Sequence, residues 1–403
     1  MRFIHSADWQ LGERFVQFGA KAAVLRAARQ ETLATALKKA GEIGVDAFLI
    51  AGDLFCDGQV DDAVIRAALD AFAVVPDVRV FILPGNHDPY TGPGCVWERR
   101  LFQQKPTNLT VFTRPSVYEV AGGFLVANPL QQKVSTVDPS LKLVELASEL
   151  PADRLRVGIT HGALAIPGKH QLNDFPIALD AATRAGLDYL AVGHWHNRQD
   201  YDNGRLAMSG TPEPDDFGQT ASGNVVLVEI PRRGALPVLT SIPVASLQWR
   251  ELEFDLADFE APRQSALAKL VELSAQAASI VLRVHLRGSV PPRLLDEFES
   301  ELESALQPFG AWLLNDDTRA AFTEAEMIEL RGRHPLLAQA SADLAQLESL
   351  ACGTPLATVL DVIPLAEARR MLDDARIELT RLDPKFFRFA HQLLSQKLQK
   401  VSS

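Results

Sequence analysis

The 403-residue chain is 47% apolar, 23% charged and 7% aromatic, an ordinary globular composition that excludes disordered, collagen-like and purely coiled-coil readings and leaves room for two or three domains. Its net charge of −11 speaks against coating a polyanion unaided, since phosphate affinity comes from clustered Lys and Arg; a nuclease whose metals or partner bring positive charge stays open. No apolar run approaches the ~20 residues of a membrane span, and Asp8 follows the start too closely for a secretory signal, so a cytoplasmic protein without membrane contact is expected.

Short β-rich runs fall at 2–6, 47–51 and 78–83, and a helical pattern at 20–41 separates the first two. In that pattern Val24, Ala27, Ala28, Leu33, Ala36, Leu37 and Ala40 recur at helical spacing, and Gly41 and Gly44 mark the stop. Runs at 124–127, 156–159, 189–192, 205–209 and 224–230 have the same short, bounded form. Alternation of this kind predicts an α/β layered domain. The stretch 230–243 holds Pro231, Pro237 and Pro243 around an Arg232-Arg233-Gly234 turn, so it reads as an extended boundary rather than a helix. Strand, helix, strand, helix, strand at 251–256, 263–276, 280–286, 292–306 and 311–315 then predict a small α+β module. Beyond 323 the pattern is helical, broken at Pro335, Gly353-Thr354-Pro355 and Pro364. The last stretch, 384–403, carries Lys385, Arg388, Lys397 and Lys400 without an acid, with Phe386, Ala390, Leu393, Leu394 and Val401 at helical spacing. This basic amphipathic helix either docks a partner or packs on its own domain. The expected domains are 1–245, 246–320 and 321–403.

Five fragments sit at the ends of predicted strands, where open α/β sheets place their ligands. They are Asp8-Trp9-Gln10, Gly52-Asp53, Gly85-Asn86-His87-Asp88, Thr160-His161-Gly162 and Gly193-His194-Trp195-His196. Any one alone is ordinary turn chemistry, since Gly, Asn and Asp tolerate positive φ. Five in succession are harder to explain that way. Two divalent cations about 3.5 to 4 Å apart need a shared carboxylate, and neutral imidazole and amide ligands leave positive charge for a phosphate. Cys56, Cys95 and Cys352 lack a C-x-x-C spacing, which argues against a disulfide framework or a cysteine zinc site.

These residues resemble the calcineurin-like metallophosphoesterases, whose pattern is D-x-H, G-D, G-N-H-D/E, a later His with Gly, and G-H-x-H. The likeness narrows toward SbcD-type DNA repair exonucleases through His5-Ser6-Ala7-Asp8-Trp9 with Leu11-Gly12, Leu49-Ile50-Ala51-Gly52-Asp53-Leu54-Phe55, Asp188 through His196, and Ser209-Gly210-Thr211-Pro212-Glu213. It is specific over about 1–230 and weaker through the α+β module. The resemblance implies a two-sheet αββα sandwich flanked by helices, followed by a small α+β capping domain and a helical C-terminal tail. It also implies a site of two divalent metal ions, with manganese favoured. One ion would be held by Asp8, Gln10, Asp53 and His196, the other by Asp53, Asn86, His161 and His194. His87 would stand beside the phosphate as the catalytic side chain, oriented by Asp88. DNA would be the substrate and an SMC-like coiled-coil ATPase, SbcC-like, the partner; a homodimer is left open.

Two positions depart from the pattern. Gln10 stands where the family has His, exchanging an imidazole for an amide oxygen that binds hard cations more weakly. Cys56 follows Gly52-Asp53-Leu54-Phe55 where relatives carry Asp or His; a metal-binding thiol and a small packing thiol are its two readings. His285 and His334 read as structural, His5 as either strand packing or support for a ligand, and His170 as a loop residue within reach of substrate. Activity on small phosphoesters or cyclic nucleotides, and a catalytically weakened scaffold, are the competing functions.

Overall fold

The computed structural model describes residues 1–169, 171–256 and 259–320, with Gln339, Ala342 and Asp343. His170, His334, Cys352 and the basic segment 384–403 lie outside the described residues. The chain divides into two compact units, the first Met1–Arg250 with Ser279–Val281, the second Glu251–Ala278 with the described residues from Leu282 on.

Two six-stranded sheets build the first unit. Its strands are β1 (Arg2–Ser6), β2 (Ala47–Ala51), β3 (Val80–Leu83), β4 (Leu109–Val111), β5 (Ser116–Val120), β6 (Gly123–Ala127), β7 (Leu155–His161), β8 (Tyr189–Gly193), β9 (Gln199–Tyr201), β10 (Leu206–Met208), β11 (Asn224–Glu229) and β12 (Val238–Pro243). One sheet runs β12-β11-β1-β2-β3-β4, the other β5-β6-β7-β8-β10-β9. β1 through β4 are parallel, as are β6, β7, β8 and β10. Antiparallel strands lie at the other edges, β11 and β12 beyond β1, β5 beside β6 and β9 beside β10.

Side-chain alternation assigns the layers, because successive residues of a strand point to opposite faces. Phe3, Ala47, Leu49, Ala51, Phe81 and Leu83 of the first sheet meet Leu125, Val157, Ile159, Tyr189 and Ala191 of the second in one shared core. Their neighbours Ile4, Phe48, Ile50, Val80 and Ile82 face the other way, against helices α1 (Ala22–Ile43) and α2 (Asp62–Ala73). Behind the second sheet, Val126, Leu190 and Val192 pack with Leu143 and Ala147 of α4 (Ser140–Ser148) and Ala181 and Ala182 of α5 (Ala181–Arg184); the one-turn helix α3 (Arg100–Gln103) precedes them in the chain. The result is an α/β layered domain, as the alternating sequence pattern predicts, in the form of the αββα sandwich that the resemblance implies. Gly44 ends α1 with φ 69° and its N–H on the Ala40 and Gly41 carbonyls, the left-handed cap that glycine supplies without strain.

Within the proline-rich stretch 230–243, read as an extended boundary, Val238–Pro243 form a strand, β12. β12 pairs along its length with β11, from Asn224 opposite Pro243 to Glu229 opposite Val238. It is the sheet's edge, where a residue lacking an N–H is tolerated.

A third sheet, most of whose residues belong to the second unit, is ordered β13 (Gln248–Leu256), β14 (Ile280–Val290), β15 (Ala311–Asp316), with β16 (Arg319–Ala320) on β14. Helices α6 (Glu260–Leu273) and α7 (Pro292–Leu306) are joined by Arg263, which bonds Glu297 at 2.7 Å and Glu301 at 2.6 and 2.9 Å. His285 lies on β14, 3.3 Å from Glu251 of β13, a paired surface residue. Among the described residues no helix is long and apolar enough to cross a membrane.

Candidate metal centre

The strand-end loops of both sheets meet at one place. After β1 and β2 the backbones run side by side, Asp8 N–H donating to the Gly52 carbonyl and Gln10 N–H to that of Asp53, both at 3.1 Å. Asp8, Gln10 and Asp53 hold φ of 55°, 47° and 54°, and His194 holds 127°. Such angles are uncommon outside glycine and cluster at functional sites. Asp8, Asp53 and His161 are completely buried, and one ligand atom from each lies within 4.8 Å of the others. Asp8 Oδ2 accepts the His194 N–H at 2.9 Å, while the buried Oδ1 has no hydrogen-bond partner. An anionic oxygen hidden from water without a donor is costly; a cation beside it removes that cost, so the residues fit a metal.

The remaining candidates fall around this nucleus. Asn86 Oδ1 lies 2.8 Å from His161 Nε2 and 3.0 Å from His194 Nδ1, and His161 Nε2 lies 3.4 Å from Asp53 Oδ2. Asp53, Asn86, His161 and His194 are thus brought together. On the other side Gln10 Nε2 donates to Asp53 Oδ2 at 3.1 Å. Gln10, His87 and His196 line a cleft of about 310 Å³ with Glu13, Phe15, Gln17, Asp215 and Asp216.

Burial pushes the Asp8 carboxyl up, and the charge of Asp53 adds to this, against the pull of His161, His196 and the His194 N–H. Burial pushes Asp53 the same way, but the charge and hydrogen bond of His161, with help from His87, win and hold it well below the usual range. Burial alone would lower His161; the charges of Asp53 and Asp8 outweigh it and push it up to about 9. The pocket therefore gathers positive charge between two carboxylates, the electrostatic demand a divalent cation would meet.

Asp88 corrects an expectation. Its oxygens accept the Phe55 N–H at 2.9 Å and the Gly85 N–H at 2.8 Å, and its carbonyl accepts the Trp97 indole N–H. Asp88 thus clamps the loops after β2 and β3 and does not orient His87. Burial, then the charge of Asp53, pushes its carboxyl up to about 8. The His87 ring instead has Nδ1 3.0 Å from the Cys56 carbonyl, with Nε2 4.0 Å from Asp53 Oδ2 and the ring half exposed in the cleft. The Cys56 thiol is pushed up to about 12 by burial and the nearby charges of Glu13 and Asp57, which suits a packing thiol better than a thiolate ligand.

Sequence reasoning missed the residues behind two of the candidate ligands. Asp174 Oδ2 lies 2.9 Å from His194 Nε2, and Asp215 Oδ1 lies 3.2 Å from His196 Nδ1. A carboxylate on a histidine's second nitrogen fixes the ring and its tautomer. Asp174 carries no local signal; Asp215 follows Ser209-Gly210-Thr211-Pro212-Glu213 by two residues.

Residues 1–198 match the calcineurin-like phosphoesterase family. This stretch is a calcineurin-like phosphoesterase domain. Its family binds two divalent metals, and the buried Asp8, Asp53 and His161 are where this phosphoesterase domain can hold one. The chain is 26% identical over 226 residues to the DNA double-strand break repair protein Mre11 of Methanocaldococcus jannaschii, an alignment covering 53% of this chain and 57% of that protein. Mre11 of Sulfolobus acidocaldarius is 25% identical over 317 residues, 73% of this chain and 76% of the relative. Among solved structures, a dimetal phosphatase from Danio rerio matches 60% of this chain and 98% of its own, with a TM-score of 0.36 and 12% identity.

Proposed function

We propose that this chain is a metal-dependent phosphodiesterase that cleaves DNA: an SbcD-type nuclease subunit, acting in the cytoplasm with an SMC-like coiled-coil ATPase in double-strand break repair. The observation that carries the hydrolytic part is the meeting of Asp8, Asp53 and His161, one carboxylate oxygen left without a donor. The DNA part is supported by the two archaeal relatives named as double-strand break repair proteins.

In this reading Asp53 belongs to both ligand sets, Asp8, Gln10 and His196 complete one, and Asn86, His161 and His194 the other. Two bound divalent ions, for which manganese is our choice, would polarise the phosphoryl oxygens and lower the pKa of attacking water. His87, half exposed beside Asp53, is placed to donate to a phosphate oxygen or the leaving oxygen. Its Nδ1, held near the Cys56 carbonyl, leaves Nε2 for the substrate.

A second reading, a phosphoesterase of small phosphoesters or cyclic nucleotides, is favoured by the carboxylates of Glu13 and Asp216 on the cleft, which repel a polyanion. The deciding experiment assays the purified chain with manganese, magnesium or chelator on end-labelled single-stranded and duplex DNA, beside bis-p-nitrophenyl phosphate and cyclic nucleotides. Manganese-dependent release of nucleotides from DNA, abolished by Asp53→Asn, is the expected result. Turnover of small esters alone would replace the DNA assignment. Silence of the wild type with activity in Gln10→His would identify a weakened catalyst.

A further inference from the structure

Arg29 is a buried side chain in the middle of α1, 1% exposed, on the helix face otherwise occupied by Leu25, Ala28, Thr32 and Leu33. A guanidinium in such a place needs partners, and it finds them in two different loops of the metal centre. Its Nη1 donates to the Trp9 carbonyl at 2.6 Å, its Nη2 lies 2.7 Å from Asp215 Oδ2, and its Cζ sits 5.4 Å from the centre of the Phe15 ring. Trp9 directly precedes Gln10, whose backbone is held at φ 47°. Asp215 touches His196 with its other oxygen. Gln219 completes the arrangement. Its Oε1 accepts the Asp215 N–H at 2.9 Å, which turns its Nε2 toward both Asp215 Oδ1 and His196 Nδ1, 2.8 Å away.

The His196 proton can therefore take one of two positions. With a proton on Nδ1 the ring donates to Asp215, an ionised acceptor; with none there, Nδ1 accepts from the Gln219 amide. The charged acceptor forms the stronger bond, and Arg29 is the group that keeps a charged carboxylate in place there.

We propose that Arg29 is a positioning residue for the metal position bounded by Gln10 and His196. By holding the Trp9 carbonyl and Asp215 together, it fixes the Gln10 turn and keeps the His196 proton on Nδ1, so that Nε2 is the nitrogen offered to the ion. This inference rests on the two-metal reading above. It also gives the side of the site that has lost an imidazole at position 10 its own support, one that Asn86, His161 and His194 do not share.

The test uses the full chain and manganese alone. Calorimetric titration should give two ions for the wild type. Arg29→Met and Asp215→Asn should keep one at wild-type affinity and bind the other about 10- to 100-fold more weakly, with Arg29→Lys in between. In the metal-free protein, long-range ¹H–¹⁵N spectra of histidine-labelled samples, assigned with His196→Gln, should show His196 protonated on Nδ1, and on Nε2 in Asp215→Asn. Two ions at unchanged affinity in both variants, or a wild-type His196 protonated on Nε2, would overturn the proposal. So would a parallel weakening of both ions that follows the loss of folded protein, the signature of a merely structural arginine. A wild type that binds no manganese would instead sink the metal reading itself.

Discussion

At the scale of single residues, Asp53 has the most dependents. One oxygen takes the His87 N–H at 2.9 Å, the other takes the Gln10 amide at 3.1 Å and lies 3.4 Å from His161. Asp53→Asn keeps the shape and removes the charge, so it should abolish manganese binding at both positions, measurable by calorimetry, and lower phosphodiester hydrolysis by roughly 10³-fold or more. Retention of a single tight ion would show that the carboxylate is not shared. His5 gives a prediction about pH. Its Nδ1 lies 2.8 Å from the Tyr189 hydroxyl in the inter-sheet core, and burial first, with the charge of Arg198, lowers it to about 3. The native protein therefore holds His5 neutral, while the unfolded chain takes up a proton below about 6.5. The stability this contributes is complete above 6.5 and is lost as the pH falls toward 3. At pH 5 the loss is about 2 kcal/mol. Urea denaturation at pH 8 and pH 5 should show it, and His5→Gln should flatten it.

At the scale of elements, two glycines of similar sequence appearance differ in their surroundings. A Cβ on Gly193, the last residue of β8, would fall 2.2 Å from the Ala51 carbonyl oxygen, 2.5 Å from the Ala7 Cβ and 2.9 Å from His161 Nδ1. Gly193→Ala must push the sheets apart beside the metal centre and should cost about 3 kcal/mol or more. Gly41 in α1 has only Val78 Cγ2 within 4 Å, at 3.7 Å, and Gly41→Ala should stabilise by up to about 1 kcal/mol through helix propensity. Thermal melts of the two variants in opposite directions are the expected outcome. These elements also show how far the sequence could be read. β1, β2 and the start of α7 fall where the apolar runs and Pro292 place them, because both faces of β1 and β2 are covered and periodicity records burial. β12 is hard to read because Pro237 just before it and Pro243 at its end mask an edge strand with exposed positions. The convergence of the strand-end loops could be read because their residues are chemically distinctive at strand ends. Asp174 could not, since it meets His194 only through the conformation of a loop. Arg29 did carry a signal: a charge on an otherwise apolar helix face.

For the whole molecule, 51 acidic against 40 basic residues limit what the chain can do with DNA alone. Few phosphates can be neutralised by such a surface, so the slope of log affinity against log salt should be shallow, equivalent to roughly two or three phosphate contacts. Fluorescence anisotropy with labelled single strands over a salt series measures it. A steep slope would reveal a basic track hidden by the average charge, whereas a shallow one that steepens with a coiled-coil ATPase would assign the missing cations to that proposed partner.

Asp8 and Asp53 are rooted in one sheet, His161 and His194 in the other. An ion gripped by both groups would rivet the two halves of the sandwich across their shared interior. Loading should therefore raise the melting temperature in proportion to the logarithm of free manganese. In mild denaturant, a slight swelling between the layers should disarm the protein while its circular dichroism is still that of the folded state.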